Sequence, residues 1–407
     1  MISGATRLIA AILLIGPLPM ANAQEFTANG LVDFGGVVPS HDKTWIKGGF
    51  GKLDNGGGGG QSLAFVGQAL ADLRLQLDPS LGVFTRLRAA PDQHTPFDVI
   101  EAYGRYLPIS NRDWVWSIKL GAFFPPISLE GESVGWTSPW TLTPSAINSW
   151  VGDELRTIGG ETELRRRYGS IELGAIGAVY GVNDVAGQLL ADRGWVFDSR
   201  PIGLLGEPRV PDLLARQQRL QPPLREQPFK TIGGGPGWYA GGSVRQDELG
   251  KLTGLYYDNR ADPGAFAGAD FGWRTKFTSL GIETGIGDVV LLSQVMFGNT
   301  VIEPFRGFFA TTDFEAAYLL LGYYFGDFRV AGRFDLFATQ LRNSRGVTGP
   351  GEHGRAFTLS GSWTTLPWLR FSTEFLQVHS YRGQRSFDRL RPNADEFQAQ
   401  FVTRIFF

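Results

Sequence analysis

The sequence predicts an all-β chain that crosses a membrane as an antiparallel up-and-down barrel of about sixteen strands. Three observations predict it. Apolar and polar residues alternate with a period of two along most of the chain. Short and long connections between those stretches also alternate. Finally, 55 glycines, 30 phenylalanines and 11 tryptophans occur with no cysteine among 407 residues.

The first residues read as an export signal. Arg7 supplies the positive start, Leu8 to Ile15 the apolar run, and Ala21-Asn22-Ala23 a small-residue cleavage site, so the mature chain begins at Gln24. Gly16, Pro17 and Pro19 end the run well short of the roughly 20 residues a helical span needs. The expected organisation is a cleaved signal at 1–23 followed by a single barrel domain at 24–407.

Composition excludes several classes. A net charge of −2 with no basic run gives nucleic acid no surface to bind. No later stretch approaches about 18 consecutive apolar residues, so helices do not span a membrane here. Without cysteine, neither disulfides nor thiolate metal sites stabilise an exported chain. Stability must come from a hydrogen-bonded framework. Glycine fits a strongly twisted wall, and aromatic rings populate its two interfacial girdles.

The C-terminal segment shows the alternation most clearly. Phe397, Ala399, Phe401, Thr403, Ile405 and Phe407 share one face; Gln398, Gln400, Val402, Arg404 and Phe406 share the other. Upstream, Leu63 to Leu77 alternate with Gln68, Asp72, Arg74 and Gln76, and Val83 to Ala89 with Arg86 and Arg88. Trp114 to Ala122 alternate with Ser117 and Lys119. Ile171 to Val179 form another apolar face. Phe271, Trp273, Thr275 and Phe277 enclose Arg274 and Lys276, which assigns both cations to the polar face. Phe328 to Leu336 enclose Arg329, Arg333 and Asp335; Leu369 to Phe375 enclose Arg370, Ser372 and Glu374. No helical period fits these runs.

The connections fall into two kinds. Tight turns are expected at Asp78-Pro79-Ser80, Ile109-Ser110-Asn111, Arg167-Tyr168-Gly169, Asp247-Glu248-Leu249, Gly285-Ile286-Gly287-Asp288, Gly326-Asp327 and Leu366-Pro367. Long loops are expected at 38–61, 91–97, 125–156, 183–236, 260–269, 300–312, 340–354 and 380–394. Strict alternation puts all tight turns at one end of the barrel and both termini with them. Around sixteen strands, unlike eight, leave room for an aqueous channel.

The last strand, ending on Phe407, resembles the terminal strand of Gram-negative outer-membrane proteins. In architecture the whole mature length resembles the Gram-negative porin superfamily, of the sixteen-stranded general or phosphate-selective type. That resemblance implies an outer-membrane location among its lipids, a C-terminal strand that engages the barrel-assembly machinery, and a homotrimer. It also implies that the third long loop, 125–156, folds inward and narrows the lumen. Its prolines and tryptophans (Pro125, Pro126, Trp136, Pro139, Trp140, Pro144, Trp150) favour an ordered, packed loop.

Expected pore-lining cations are Arg74, Arg86, Arg88, Arg105, Lys119, Arg165, Arg274, Lys276, Arg329, Arg333, Arg370 and Arg404. Opposite them the loop offers Glu130, Glu132, Asp153 and Glu154. Fixed charges of opposite sign set a transverse field that favours polar solutes. Most of the cations are expected to pair with Asp72, Glu101, Glu163, Asp335 and Glu374 in the wall. Arg86 and Arg88 are expected to stay exposed to solute and to lean the pore toward anions. Residues 208–227, rich in Pro, Arg and Gln, read as solvated outer surface.

Enzymatic readings find little. His41, His94 and His353 lack a second histidine at metal-ligand spacing, and there is no Gly-x-Ser-x-Gly elbow. His379 and Ser380, as strand neighbours, point to opposite faces. The glycine run Gly56 to Gly60 lacks the Lys-Ser/Thr that completes a phosphate loop. No cofactor or metal is expected. The function expected is passive diffusion of small hydrophilic solutes through a water-filled channel. The alternative is a plugged, structural or adhesive barrel without channel activity.

Overall fold

The computed structural model describes residues 25–56, 63–91, 94–109, 113–212 and 225–407. The expected signal at 1–23 and its cleavage point lie outside the described residues. So do Gly57 to Gly60, the Ser110-Asn111 turn pair and 213–224 of the Pro/Arg/Gln-rich stretch.

Sixteen antiparallel strands form a closed barrel. In chain order they are β1 Glu25–Pro39, β2 Ala64–Gln76, β3 Leu81–Ala89, β4 Phe97–Tyr106, β5 Trp114–Phe123, β6 Thr157–Tyr168, β7 Ile171–Gly181 and β8 Gly237–Gln246. They continue as β9 Gly250–Asp258, β10 Arg274–Ile286, β11 Val289–Phe305, β12 Phe308–Phe325, β13 Phe328–Asn343, β14 Glu352–Leu366, β15 Leu369–Arg382 and β16 Asn393–Phe406. Each strand pairs with its sequence neighbour, and β1 closes the ring on β16 from Leu31↔Phe406 to Pro39↔Gln398. Phe407 extends this seam: its carbonyl accepts from the Gly30 N–H at 2.8 Å and its N–H donates back at 3.1 Å. The Phe407 ring lies where a Cβ on residue 30 would stand, 2.1 Å away, so any larger residue there must turn this terminal ring aside.

The two wall faces follow from strand alternation. The outer face carries Phe65, Leu120, Leu359 and Phe401, each at least 54% exposed. A continuous apolar wall of this extent is stable against lipid, not water. The inner face carries buried polar and charged groups such as Gln294, Arg333, Asp335, Glu374 and Gln400. No described helix is long and apolar enough to cross a membrane.

Two expectations are corrected. First, 300–312 is no long loop. β11 and β12 run on to a hairpin whose last pair is Phe305↔Phe308, closed by Gly307 at φ 77°. The flanking Val301, Ile302, Phe309 and Thr311 favour strand over loop. Second, the face assignment at 271–277 is inverted. Phe277 packs inward on Trp150, and the Thr275 hydroxyl bonds the Ala186 carbonyl. Alternation therefore sends Arg274 and Lys276 to the outer side, where Arg274 approaches Asp258 at 3.4 Å. The apolar residue here serves an interior contact, so polarity alone misread the strand.

Candidate functional site

The inner face is bonded to several of the connecting segments, and their anchoring residues define the candidate site. Residues 124–156 reach the widest arc of wall. Gln294 of β11 donates to the Ile127 carbonyl at 2.9 Å, and the Gly135 N–H donates to Asp72 of β2 at 3.2 Å. Leu142 and Thr143 N–H groups donate to Glu374 of β15 at 2.6 and 3.1 Å. Gln400 of β16 donates to the Thr143 hydroxyl at 3.1 Å. The Trp140 ring meets Tyr324 of β12 edge-on, 4.7 Å between centroids.

Arg333 is the densest node. Its guanidinium pairs with Glu130 at 3.0 Å and Asp335 at 2.8 Å, and donates to the Thr143 and Pro144 carbonyls at 2.8 and 3.0 Å. The side chains of all three ionic residues are at most 1% exposed. Glu130 in turn accepts from the Ser145 N–H at 2.9 Å and the Asn148 amide at 2.6 Å. Ser145 caps helix α1 (Ala146–Glu154), accepting from the Asn148 N–H. This helix presents Trp150 to Trp195, Phe277 and Phe314, with centroids 5.2 to 6.0 Å apart.

Residues 182–212 and 225–236 pack on the far side of α1. Asp153 pairs with Arg193. Glu154 accepts from the Gly187 and Leu189 N–H groups, at 3.1 and 2.8 Å, at the start of helix α2 (Gln188–Asp192), and from the Trp150 indole. Further along, the Trp195 N–H donates to Glu352 of β14 at 3.1 Å, beside Arg382 of β15 at 3.1 Å. Lys52, from the β1–β2 connection, completes that cluster by pairing with Glu352. Burial brings the Lys52 amine down to about 7, against the raising effect of Glu352. Arg385 and Glu396 extend the cluster at 3.3 Å.

The expected cations therefore divide. Arg333 and Arg404 are buried in wall pairs, Arg404 being bidentate to Asp33 at 2.7 and 2.8 Å. Arg86 and Arg88 are not exposed to solute. Arg86 is held by Asp72 and Glu101 on the two flanking strands, both at 2.7 Å, and Arg88 is covered by Pro201, to whose carbonyl it donates at 2.7 Å. Lys119 pairs with Glu161 at 2.7 Å; Arg105 and Arg165 approach Glu163 at 4.0 and 3.5 Å. Arg74 is exposed on the inner face. Arg329 donates to the Pro139 carbonyl at 3.4 Å and Arg370 to the Thr364 hydroxyl at 3.2 Å. Of the loop acids, only Glu130 meets a wall cation. Asp153 and Glu154 serve contacts between connections because α1 turns them toward 182–195, and Glu132 is exposed.

Sequence reading missed Lys52, Arg156, Glu352, Arg382 and Glu396. Arg156 is 1% exposed and satisfied largely by carbonyls, among them Ile100 at 3.0 Å and Leu155 at 2.7 Å, with its guanidinium 3.5 Å from the Phe124 ring centre. None of these residues stands in a recognisable spacing, because their partners come from distant connections. His379 and Ser380 do face opposite ways: His379 bonds Asp395, and Ser380 accepts from Arg385 at 3.0 Å.

Burial pushes the Glu154 carboxyl up to about 7, and burial followed by the nearby Glu154 charge pushes Glu226 well above its ordinary range. A carboxyl raised on docking holds its proton longer docked than free. Its contribution is full below about 4.5 and fades as pH rises through about 7. A spin label at Ala191→Cys, the sole cysteine in that variant, is expected to gain mobility between pH 5 and 8. Glu154→Gln should flatten the change; an equal change in that variant would contradict the assignment.

Comparison with solved structures returns outer-membrane barrels. A loop L8 deletion mutant of OmpT, an outer membrane protein of Vibrio cholerae, aligns with a TM-score of 0.53 at 9% identity over 95% of this chain and 100% of that one. The outer membrane channel DcaP of Acinetobacter baumannii aligns at 0.55 and 10%, over 94% and 97%. OmpT in its trimer form aligns at 0.52 and 9%, over 95% and 100%. At such identities the likeness is one of fold: a closed sixteen-stranded antiparallel barrel. No family model matches the sequence, and no curated protein matches it.

Proposed function

We propose that this chain is an outer-membrane channel for passive diffusion of small hydrophilic solutes, kept narrow by residues 124–156, 182–212 and 225–236 folded into the lumen. The observation that carries it is the polar inner face of a ring wide enough for water, with a loop pinned across it through Arg333 and Glu374. Polar spaces persist beside the loops. One of about 40 Å³ is bounded by Asp33, Gln68, Arg88, Leu142, Gln400 and Arg404; another of about 80 Å³ by Glu163, Ser243, Lys251, Thr253, Ser279 and Ile127. The export signal read at 1–23 and the aromatic C-terminus fit the location, and the trimer form known for a protein of this fold supports a homotrimer.

A lean toward anions is supported by Arg370 and Arg404, which face each other across β15 and β16 while Asp33 engages only Arg404. Arg370→Gln is expected to move the reversal potential in asymmetric KCl toward cations. A second reading, a barrel sealed by its own loops, is favoured by the small size of the spaces, each holding only a few waters. Swelling of protein-loaded liposomes separates the two. Pentoses are expected to enter faster than trisaccharides, and removal of 128–145 to speed both. No entry of either sugar, even after removal from a correctly folded barrel, supports the sealed reading.

A further inference from the structure

The outer wall holds a recess of about 730 Å³ that the channel reading leaves unused. It follows two ladder rows across six strands. One row runs Val295, Ala317, Leu336, Arg355, His379, Asp395; the next above it begins Phe297, Glu315, Ala338 and His353. Small side chains at Ala317 and Ala338 hollow the wall between bulkier neighbours. Apart from Glu315, its β11–β13 side is apolar, and its β14–β16 side is polar.

Height places the recess at a boundary. Ala317 and Leu336 stand eight residues above the aromatic pair Phe325 and Phe328 at the lower turn, and Glu315 stands ten above. At about 3.3 Å per residue and a tilt near 45°, these are about 19 and 23 Å up. The apolar band of such barrels is about 25 Å tall. The floor of the recess thus lies within the acyl region and its polar end lies at the outer headgroup level.

The charges there are of both signs. His379 and Asp395 satisfy each other. Arg355 and Glu315 are exposed and make no ion pair among the described residues. A cation and an anion on a lipid-facing wall, each lacking a protein partner, call for a ligand bearing both opposite charges. We propose that this recess is a binding site for a zwitterionic, phosphate-and-ammonium amphiphile. Its phosphate is held by Arg355, its ammonium by Glu315, and its chains lie on Val295, Phe297 and Leu336. This holds whether or not the lumen conducts.

Native mass spectrometry of the delipidated, refolded full chain tests it with three probes of equal chain length. These are dioleoylphosphatidylethanolamine, dioleoylphosphatidylglycerol and dioleoylglycerol, with inorganic phosphate as a fourth addition. One tightly retained phosphatidylethanolamine is expected, with weaker phosphatidylglycerol and no retention of dioleoylglycerol or phosphate. Arg355→Gln should weaken both phospholipids about tenfold, and Arg355→Lys should restore much of the loss. Glu315→Gln should abolish the preference for phosphatidylethanolamine over phosphatidylglycerol. Both positions are exposed on the outer face, so the barrel should form, as its heat-dependent gel mobility will show. Retention of dioleoylglycerol equal to the phospholipids overturns the proposal, as does indifference to both variants. A changed oligomeric state in Arg355→Gln with unchanged lipid retention would instead assign the recess to a second copy of the chain.

Discussion

Arg333→Ala is expected to free residues 124–156 from the wall while leaving the barrel closed. Arg333 is buried, and its removal strands Glu130 and Asp335 without a cation in a site that excludes water. It also leaves the Thr143 and Pro144 carbonyls without a donor. Breaking a buried pair this way costs about 3–5 kcal/mol. The loop has other anchors at Glu374, Gln294 and Tyr324, but each is weaker than a doubly paired arginine. The wall itself is held by backbone ladders that do not pass through this side chain. Single-channel current should therefore rise severalfold and become noisier, and the melting transition of the loop should fall while the barrel keeps its heat-resistant gel mobility. Current identical to the parent, in a protein of unchanged loop stability, would mean that Arg333 does not secure the loop.

Glu352→Gln is expected to open the outer mouth. Glu352 joins three segments: Lys52 between β1 and β2, Arg382 of β15, and the Trp195 N–H between β7 and β8. All three ionic side chains are fully buried. Without the carboxylate, Lys52 and Arg382 face each other as like charges, again about 3–5 kcal/mol. Lys52, whose amine burial already holds near 7, sheds its proton to relieve part of that, so the loss should be larger at pH 6 than at pH 9. Trypsin reports it directly, because Lys52 and Arg193 are buried cleavage sites in the parent. Rapid cutting at both positions at pH 7, with the barrel core intact, is expected. Resistance equal to the parent would show that hydrophobic contacts, such as Trp195 on Phe314, hold the mouth closed without this cluster.

These effects show which part of the molecule its sequence discloses. Strand positions are legible because a wall between lipid and water must alternate, and β16 reads correctly residue by residue. Turn chemistry marks the tight ends: Asp78 caps its own turn by accepting from the Ser80 and Leu81 N–H groups at 2.7 and 3.0 Å. The inner face is less legible because it has two environments. Where it meets water its residues are polar, as at Arg105 and Glu163. Where it meets a docked connection they are apolar, as at Phe277, Phe314 and Met296, and there the alternation inverts or vanishes. The inverted reading of Arg274 and Lys276 is that effect. Arg86 and Arg88 depart from the expected exposure for a related reason. The partner acids of Arg86 are visible in the strands, but Pro201 reaches Arg88 from 113 residues away, and no local pattern foretells it. The interlock at Lys52, Glu352 and Arg382 is likewise spread over three distant segments.

Ion current through one refolded barrel in a planar lipid membrane bears most directly on whether water runs through this ring. Discrete current steps that grow in proportion to KCl concentration, and that enlarge when 128–145 is removed, are the expected result. A silent bilayer from correctly folded protein, with and without those residues, would contradict it.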